Sequence, residues 1–150
     1  PQFMTAVQAS GTCSSDFRCL NVSHVSVPTP GSGQALIKVL GSSVTTMDVA
    51  RVMSNCTALH VGCSQGTIGQ DMAGIVEAVG ENCGLTTGME VWGVVNGAYA
   101  NYALGDCTLV RKKPLYLGFG DAGTIPTVGL TSLQSLLRMG APWTSYQNKT

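Results

Sequence analysis

Glycine breaks up this chain: nineteen of its 150 residues are glycine, and they separate short apolar segments from one another. A helix interior tolerates glycine poorly, at about 1 kcal/mol relative to alanine, whereas turns between strands favour it. The intervening segments read as strands. Met4–Ala9 opens the series, and Phe17–Val27 follows, ending in the turn cluster Pro28-Thr29-Pro30-Gly31-Ser32-Gly33. Gln34–Leu40 is apolar on both faces, as a buried strand is. Met72–Val79 is β-rich and is broken by Gly80-Glu81-Asn82-Cys83-Gly84. Glu90–Val95 and Ala98–Leu104 flank Asn96-Gly97, which predicts a hairpin. Thr108–Arg111 adds a last short strand.

Two segments read as helices. Thr46-Met47-Asp48 opens a short one that Thr45 or Thr46 can cap, with Asp48 at its positive end and Val49, Val52 and Met53 on one face. The other begins with Pro126 in its first turn. Val128, Leu130, Leu133, Leu136 and Leu137 supply apolar surface, Arg138 lies in the last turn, and Gly140 followed by Pro142 stops it. Asn55–Gly69, between them, reads as an exposed loop. Many short strands with few helices predict a mainly-β barrel or sandwich.

The charge balance narrows the function. Eight Lys and Arg offset eight Asp and Glu, and the one basic cluster, Arg111-Lys112-Lys113, is no footprint for a nucleic-acid partner. Charged residues make up 11% of the chain against roughly 25% in an average domain, so the chain either has an unusually dry surface or keeps part of its surface against something else. No apolar run approaches the length of a membrane span. The six cysteines, at 13, 19, 56, 63, 83 and 107, have irregular spacing and no CxxC, and the apolar content suffices for a core without staples. Reduced thiols are expected over a disulfide framework. Cys56, His60 and Cys63 lie close in sequence, but their spacing matches no common zinc pattern and a fourth ligand is missing.

Two motifs fail on their context. Gly62-Cys63-Ser64-Gln65-Gly66 has the form of a hydrolase nucleophile elbow, yet His24 and His60 both precede Ser64, so no base follows it. Gly118-Phe119-Gly120-Asp121-Ala122-Gly123 has the form of a dinucleotide loop. Pro114 spoils the strand that should precede it, and no acid follows Asp121 to hold a ribose.

A third motif carries a resemblance. Gly69-Gln70-Asp71-Met72-Ala73-Gly74-Ile75-Val76-Glu77-Ala78-Val79-Gly80 resembles the G-x-[DE]-x-A-G-x-V-x-x-V-G signature of medium-chain dehydrogenases/reductases, in the quinone oxidoreductase and enoyl reductase branch. Other segments agree in family order over roughly residues 4–143. They are the 25–39 stretch, Ser43-Val44-Thr45-Thr46-Met47-Asp48, Thr87-Gly88-Met89-Glu90-Val91-Trp92-Gly93, Gly97-Ala98-Tyr99-Ala100-Asn101-Tyr102, and Thr124-Ile125-Pro126-Thr127-Val128-Gly129-Leu130-Thr131.

The resemblance implies a GroES-like, partly open β-barrel over residues 4–125, a linker helix over 126–143 and a frayed tail over 144–150. Gly118–Gly123 then corresponds to a linker rather than a phosphate loop. A Rossmann domain, which in the family holds the pyrophosphate, is expected beyond Thr150, so these residues make half of such an enzyme. The implied activity is NADPH-dependent hydride transfer to an electron-poor alkene or quinone. The alternatives are an enoyl reductase module of a polyketide or fatty acid synthase, and a non-catalytic GroES-like binding or structural domain.

Carried over by position, Thr131, Thr127, Val128 and Thr45 are the expected cofactor contacts; Thr45 stands where the family usually has Asn. Tyr99 and Tyr102 are candidate hydrogen-bond donors to a developing enolate, with the catalytic donor left unassigned. The zinc branch carries a Cys near Thr45-Thr46-Met47 and a His at the position of Gln70. Both are missing, so no zinc is expected. A small-molecule quinone or enone substrate, a cytoplasmic location and a homodimer of the full-length protein complete the expectations, with no nucleic-acid or membrane partner.

Overall fold

The computed structural model describes residues 2–10, 13, 17–53 and 66–140. Eight strands and three helices succeed one another there: β1 (Phe3–Ala9), β2 (Leu20–Ser26), β3 (Gln34–Ser42), α1 (Thr46–Met53), β4 (Gly66–Thr67), β5 (Asp71–Val79), β6 (Glu90–Val94), β7 (Tyr102–Asp106), β8 (Val110–Lys112), α2 (Phe119–Ala122) and α3 (Pro126–Arg138). The strands form two antiparallel sheets, β2-β1-β4 and β7-β3-β5-β6-β8. Residues 96–101 stitch the sheets together. Val7 donates to Tyr99 O and Tyr99 N to Ile68 O on the small sheet, while Val39 donates to Asn101 O on the large one. The result is the mainly-β, curled and partly open barrel expected.

Apolar patterning explains the large sheet. β3 and β5 are its central strands, and Ala35, Ile37, Met72, Val76, Val91 and Val110 fill one buried cluster. Lys113 is also buried despite its basic neighbours. Its ammonium donates to Leu117 O (2.6 Å) and Pro114 O (3.1 Å) and pairs with Glu90 (3.0 Å), which ties the post-barrel segment down. Buried lysines need partners of this kind.

Three expectations are corrected. First, Glu90–Leu104 is no hairpin: β6 pairs with β5 and β8, and β7 pairs with β3 on the far side of the sheet. A type I′ turn needs positive φ at both central residues, and only Gly97 (φ +88°) has it, not Asn96. Gly97 instead lets the chain turn under Gly69, whose carbonyl accepts from Gly97 N (2.9 Å) and Ala98 N (3.1 Å).

Second, the cysteines described are not free thiols. Cys13 is joined to Cys19, and Cys83 to Cys107. Cys83 follows β5 and Cys107 follows β7. Both strands flank β3 in the same direction, so their ends meet over the start of β3, at Gly33, and bring the two Cα atoms to 5.5 Å. That distance suits a disulfide.

Third, the end of the Asn55–Gly69 stretch is not an exposed loop. Gly66–Thr67 pairs with β1, and Ile68 and Gly69 are buried. Residues 54–65, which hold Cys56, His60, Cys63 and most of the elbow motif, lie outside the described residues, as does the 144–150 tail.

Candidate functional site

Four element ends meet beside the crossing segment: the end of β3, the start of α1, the start of β5 and the start of α3. Asp71 is the centre of the cluster. Its side chain is fully buried, and each carboxylate oxygen has a donor. Oδ1 accepts from Thr127 N (2.9 Å) and Thr127 Oγ1 (2.5 Å), and Oδ2 accepts from Ser43 Oγ (2.8 Å). Ser42 Oγ donates to the Asp71 carbonyl (2.6 Å). A buried carboxylate is tolerable only with such donors, and here it also faces the positive end of α3. Asp71 therefore sets the direction in which α3 leaves the barrel.

The start of α1 is closed by a reciprocal cap. Asp48 Oδ2 accepts from Thr45 N and Thr45 Oγ1, both at 2.8 Å, while Asp48 N approaches Thr45 Oγ1 at 3.4 Å. This is the capping-box arrangement with Asp in place of Glu. The other oxygen of Asp48 is buried and has no hydrogen-bond partner among the described residues. Gln70, also buried, turns its amide oxygen to Arg51, at 3.1 Å from Nη1 and 3.3 Å from Nε.

Tyr99 lies across this group. Its hydroxyl donates to Ser43 O (2.7 Å), and its ring covers Gly69, where a Cβ would stand 2.5 Å from the ring and where φ is +98°. Glycine is required there on both counts. Burial pushes the Tyr99 phenol well above its ordinary range, and the Asp48 and Asp71 carboxylates push it the same way. Tyr99 is therefore held neutral and committed to the barrel. Tyr102 is half-buried on β7.

The four expected cofactor contacts are placed as follows. Thr127 is half-buried and bound to Asp71. Thr131, one turn on, is exposed and donates to Thr127 O (2.7 Å). Val128 is exposed beside it. Thr45 is half-buried in the cap of α1. Thr127 and Thr45 are thus each anchored to a carboxylate at the starts of two helices, while Thr131 and Val128 stand on the open surface of α3. Asp71, which organises the site, was visible only as a motif letter. Its role depends on Thr127, 56 residues away.

The donors at the described site are not those of a zinc centre. Among the described residues no three His, Cys, Asp or Glu side chains converge, Gln70 is engaged with Arg51, and the described cysteines are bridged. The Gly118–Gly123 segment forms the single turn α2, in which Ala122 N and Gly123 N donate to Gly118 O and Phe119 O, both at 2.9 Å.

A shallow apolar groove of about 320 Å³ runs between α3 and β6, lined by Trp92, Leu109, Ile125, Pro126, Leu130 and Leu133. Further along α3, Leu136, Leu137 and Met139 are exposed, Met139 at 82%.

Residues 31–132 match the alcohol dehydrogenase GroES-like domain family. Quinone oxidoreductase of Homo sapiens is 31% identical over 118 residues, which cover 77% of this chain and 35% of the human protein. A Dictyostelium discoideum protein named as probable polyketide synthase 15 is 37% identical over 76 residues, 49% of this chain and 2% of that protein. A mycobacterial protein solved complexed with NADPH superposes with a TM-score of 0.73 at 26% identity, over 89% of this chain and 39% of that one. The chain thus spans about a third of the human relative's length and a small fraction of the synthase's.

Proposed function

This chain belongs to the alcohol dehydrogenase GroES-like domain family, and from that premise we propose that it is the catalytic domain of an NADPH-dependent, zinc-independent quinone or enone reductase. The observation that carries the reading is the site at the four element ends, joined to a likeness with human quinone oxidoreductase over 77% of the chain. In place of zinc-ligating side chains, the site offers anchored hydroxyls and a buried acid that orients α3.

NADPH, once bound, supplies the hydride. This chain's own residues hold and orient. Thr45 and Thr127 each donate to a carboxylate and so keep an acceptor lone pair for an amide N–H. Thr131 and Val128 face the open side of α3, where a nicotinamide can lie against them. Asp71 holds the start of α3 through Thr127 and so fixes where Thr127 and Thr131 stand against the barrel. Tyr99 keeps its proton on Ser43 O, which leaves protonation of the reduced substrate to another donor. A small, electron-poor quinone or enone is the fitting substrate, in a homodimer of the complete protein.

The second reading, an enoyl reductase module of a polyketide synthase, is favoured by the 37% identity to the Dictyostelium synthase. Both readings share the chemistry and differ in context. The test is oxidation of NADPH by the complete gene product, followed by nicotinamide absorbance with a panel of quinones, enones and thioester-linked enoyl substrates. Turnover with quinones or free enones supports the first reading, and turnover with enoyl thioesters alone supports the second. No turnover with any of them contradicts both.

A further inference from the structure

Cys13 and Cys19 are joined across a separation of six residues, with their Cα atoms 5.0 Å apart. The bridge is not an isolated surface staple. Cys13 is buried and shares a cluster with Ala9, Val52 and Ile68, and Cys19, Leu20 and Tyr99 pack at its margin. Cys13 N also donates to Val52 O (2.7 Å), taking up a carbonyl from the last turn of α1. α1 has eight residues, too few to persist as a helix without tertiary support. Its buried residues are Asp48, in the N-terminal cap, and Val52, in this cluster. The C-terminal half of α1 is therefore held where the covalent state of one cysteine pair is reversible.

We propose that Cys13–Cys19 is a redox-responsive clasp on α1. Oxidised, it presses Cys13 N–H onto the Val52 carbonyl and keeps α1, with the Thr45–Asp48 cap and Arg51, in register with the site. Reduced, it frees the last turn of the helix. The reductant is a vicinal dithiol. Its thiolate attacks the sulfur of Cys19, the less buried of the two, and Cys13 departs as a thiolate. The second thiol of the reductant then displaces Cys19, so that two electrons and two protons end on the cysteines and the reductant leaves as a disulfide. Cys83–Cys107 stands apart from this device, because it joins the far end of the large sheet at the start of β3. That the clasp bears on cofactor or substrate rests on the function proposed above. Its action on α1 does not, and amide exchange reads α1 alone.

The test is amide hydrogen exchange on the 150-residue chain, with thiol alkylation and peptide mapping to report each bridge. Four samples are compared: oxidised wild type, C13S/C19S, C83S/C107S oxidised, and C83S/C107S treated with a dithiol. C13S/C19S and the dithiol-treated C83S/C107S should both exchange amides of Val49–Met53 about tenfold faster than oxidised wild type, with Met72–Val79 unchanged. Oxidised C83S/C107S should match wild type in α1. Cys13 and Cys19 found as free thiols in the untreated chain would overturn the proposal. So would α1 exchange indifferent to reduction, or acceleration of Met72–Val79 to the same extent, which would mean global unfolding.

Discussion

At the scale of single residues, Asp71 and Tyr99 explain most of why the site has its shape. Asp71 accepts from Thr127 and Ser43 while fully buried. Asp71→Ala leaves those donors unpaired inside the protein, and urea unfolding should show a loss of about 2–4 kcal/mol. Tyr99 predicts a pH dependence. Its phenol is raised in the folded state, so the folded chain holds that proton more tightly than the unfolded chain. The stabilisation is complete below about pH 10, where an ordinary phenol is protonated, and is lost as the pH rises above it. Thermal melts should fall more steeply above pH 10 for wild type than for Tyr99→Phe, and parallel curves would count against the placement of Tyr99. Neither role was legible in the sequence. Asp71 stood in a recognised motif, but a carboxylate's burial is set by its partners, and these come from residues 43 and 127. Thr45 and Asp48 were legible, because a cap is a local contact three residues long.

At the scale of elements, most strands were readable and one connection was not. Alternation and glycine breaks located β1, β3, β5 and β6 to within a few residues, since burial on one or both faces leaves a pattern in each segment alone. Asn96-Gly97 misled because a dipeptide reports which turn it permits, while partners for β6 and β7 are chosen by β5 and β3. The cysteine pairs were hidden for the same reason: Cys83 and Cys107 meet only through the register of β3 with both its neighbours. The apolar residues of α3 read as apolar surface, and Leu130, Leu133 and Leu137 are about half exposed in the described structure. The isolated 150-residue polypeptide should therefore self-associate through α3. Leu133→Lys combined with Leu137→Lys should shift sedimentation toward monomer, with stability changed by less than about 1 kcal/mol because both sites are exposed. Unchanged association would place the contact elsewhere.

At the scale of the whole molecule, the family fold and the low charge fit together. A chain with 11% charged residues and an apolar groove beside α3 is suited to lie against further protein. Among the described residues no helix is long and apolar enough to cross a membrane. On the proposed function, these residues supply the nicotinamide and substrate end of the site, while the pyrophosphate is held by a further domain. Thr131, Thr127 and Thr45 offer a few hydrogen bonds of about 0.5–1.5 kcal/mol each, well short of the roughly 8 kcal/mol of micromolar affinity. The most direct measurement is titration of NADPH into the 150-residue polypeptide and into the complete gene product, followed by nicotinamide fluorescence. Saturable micromolar binding is expected for the complete protein and none for the polypeptide alone. Saturable micromolar binding to the polypeptide would contradict that expectation, and would return the Gly118–Gly123 segment to consideration as a phosphate loop.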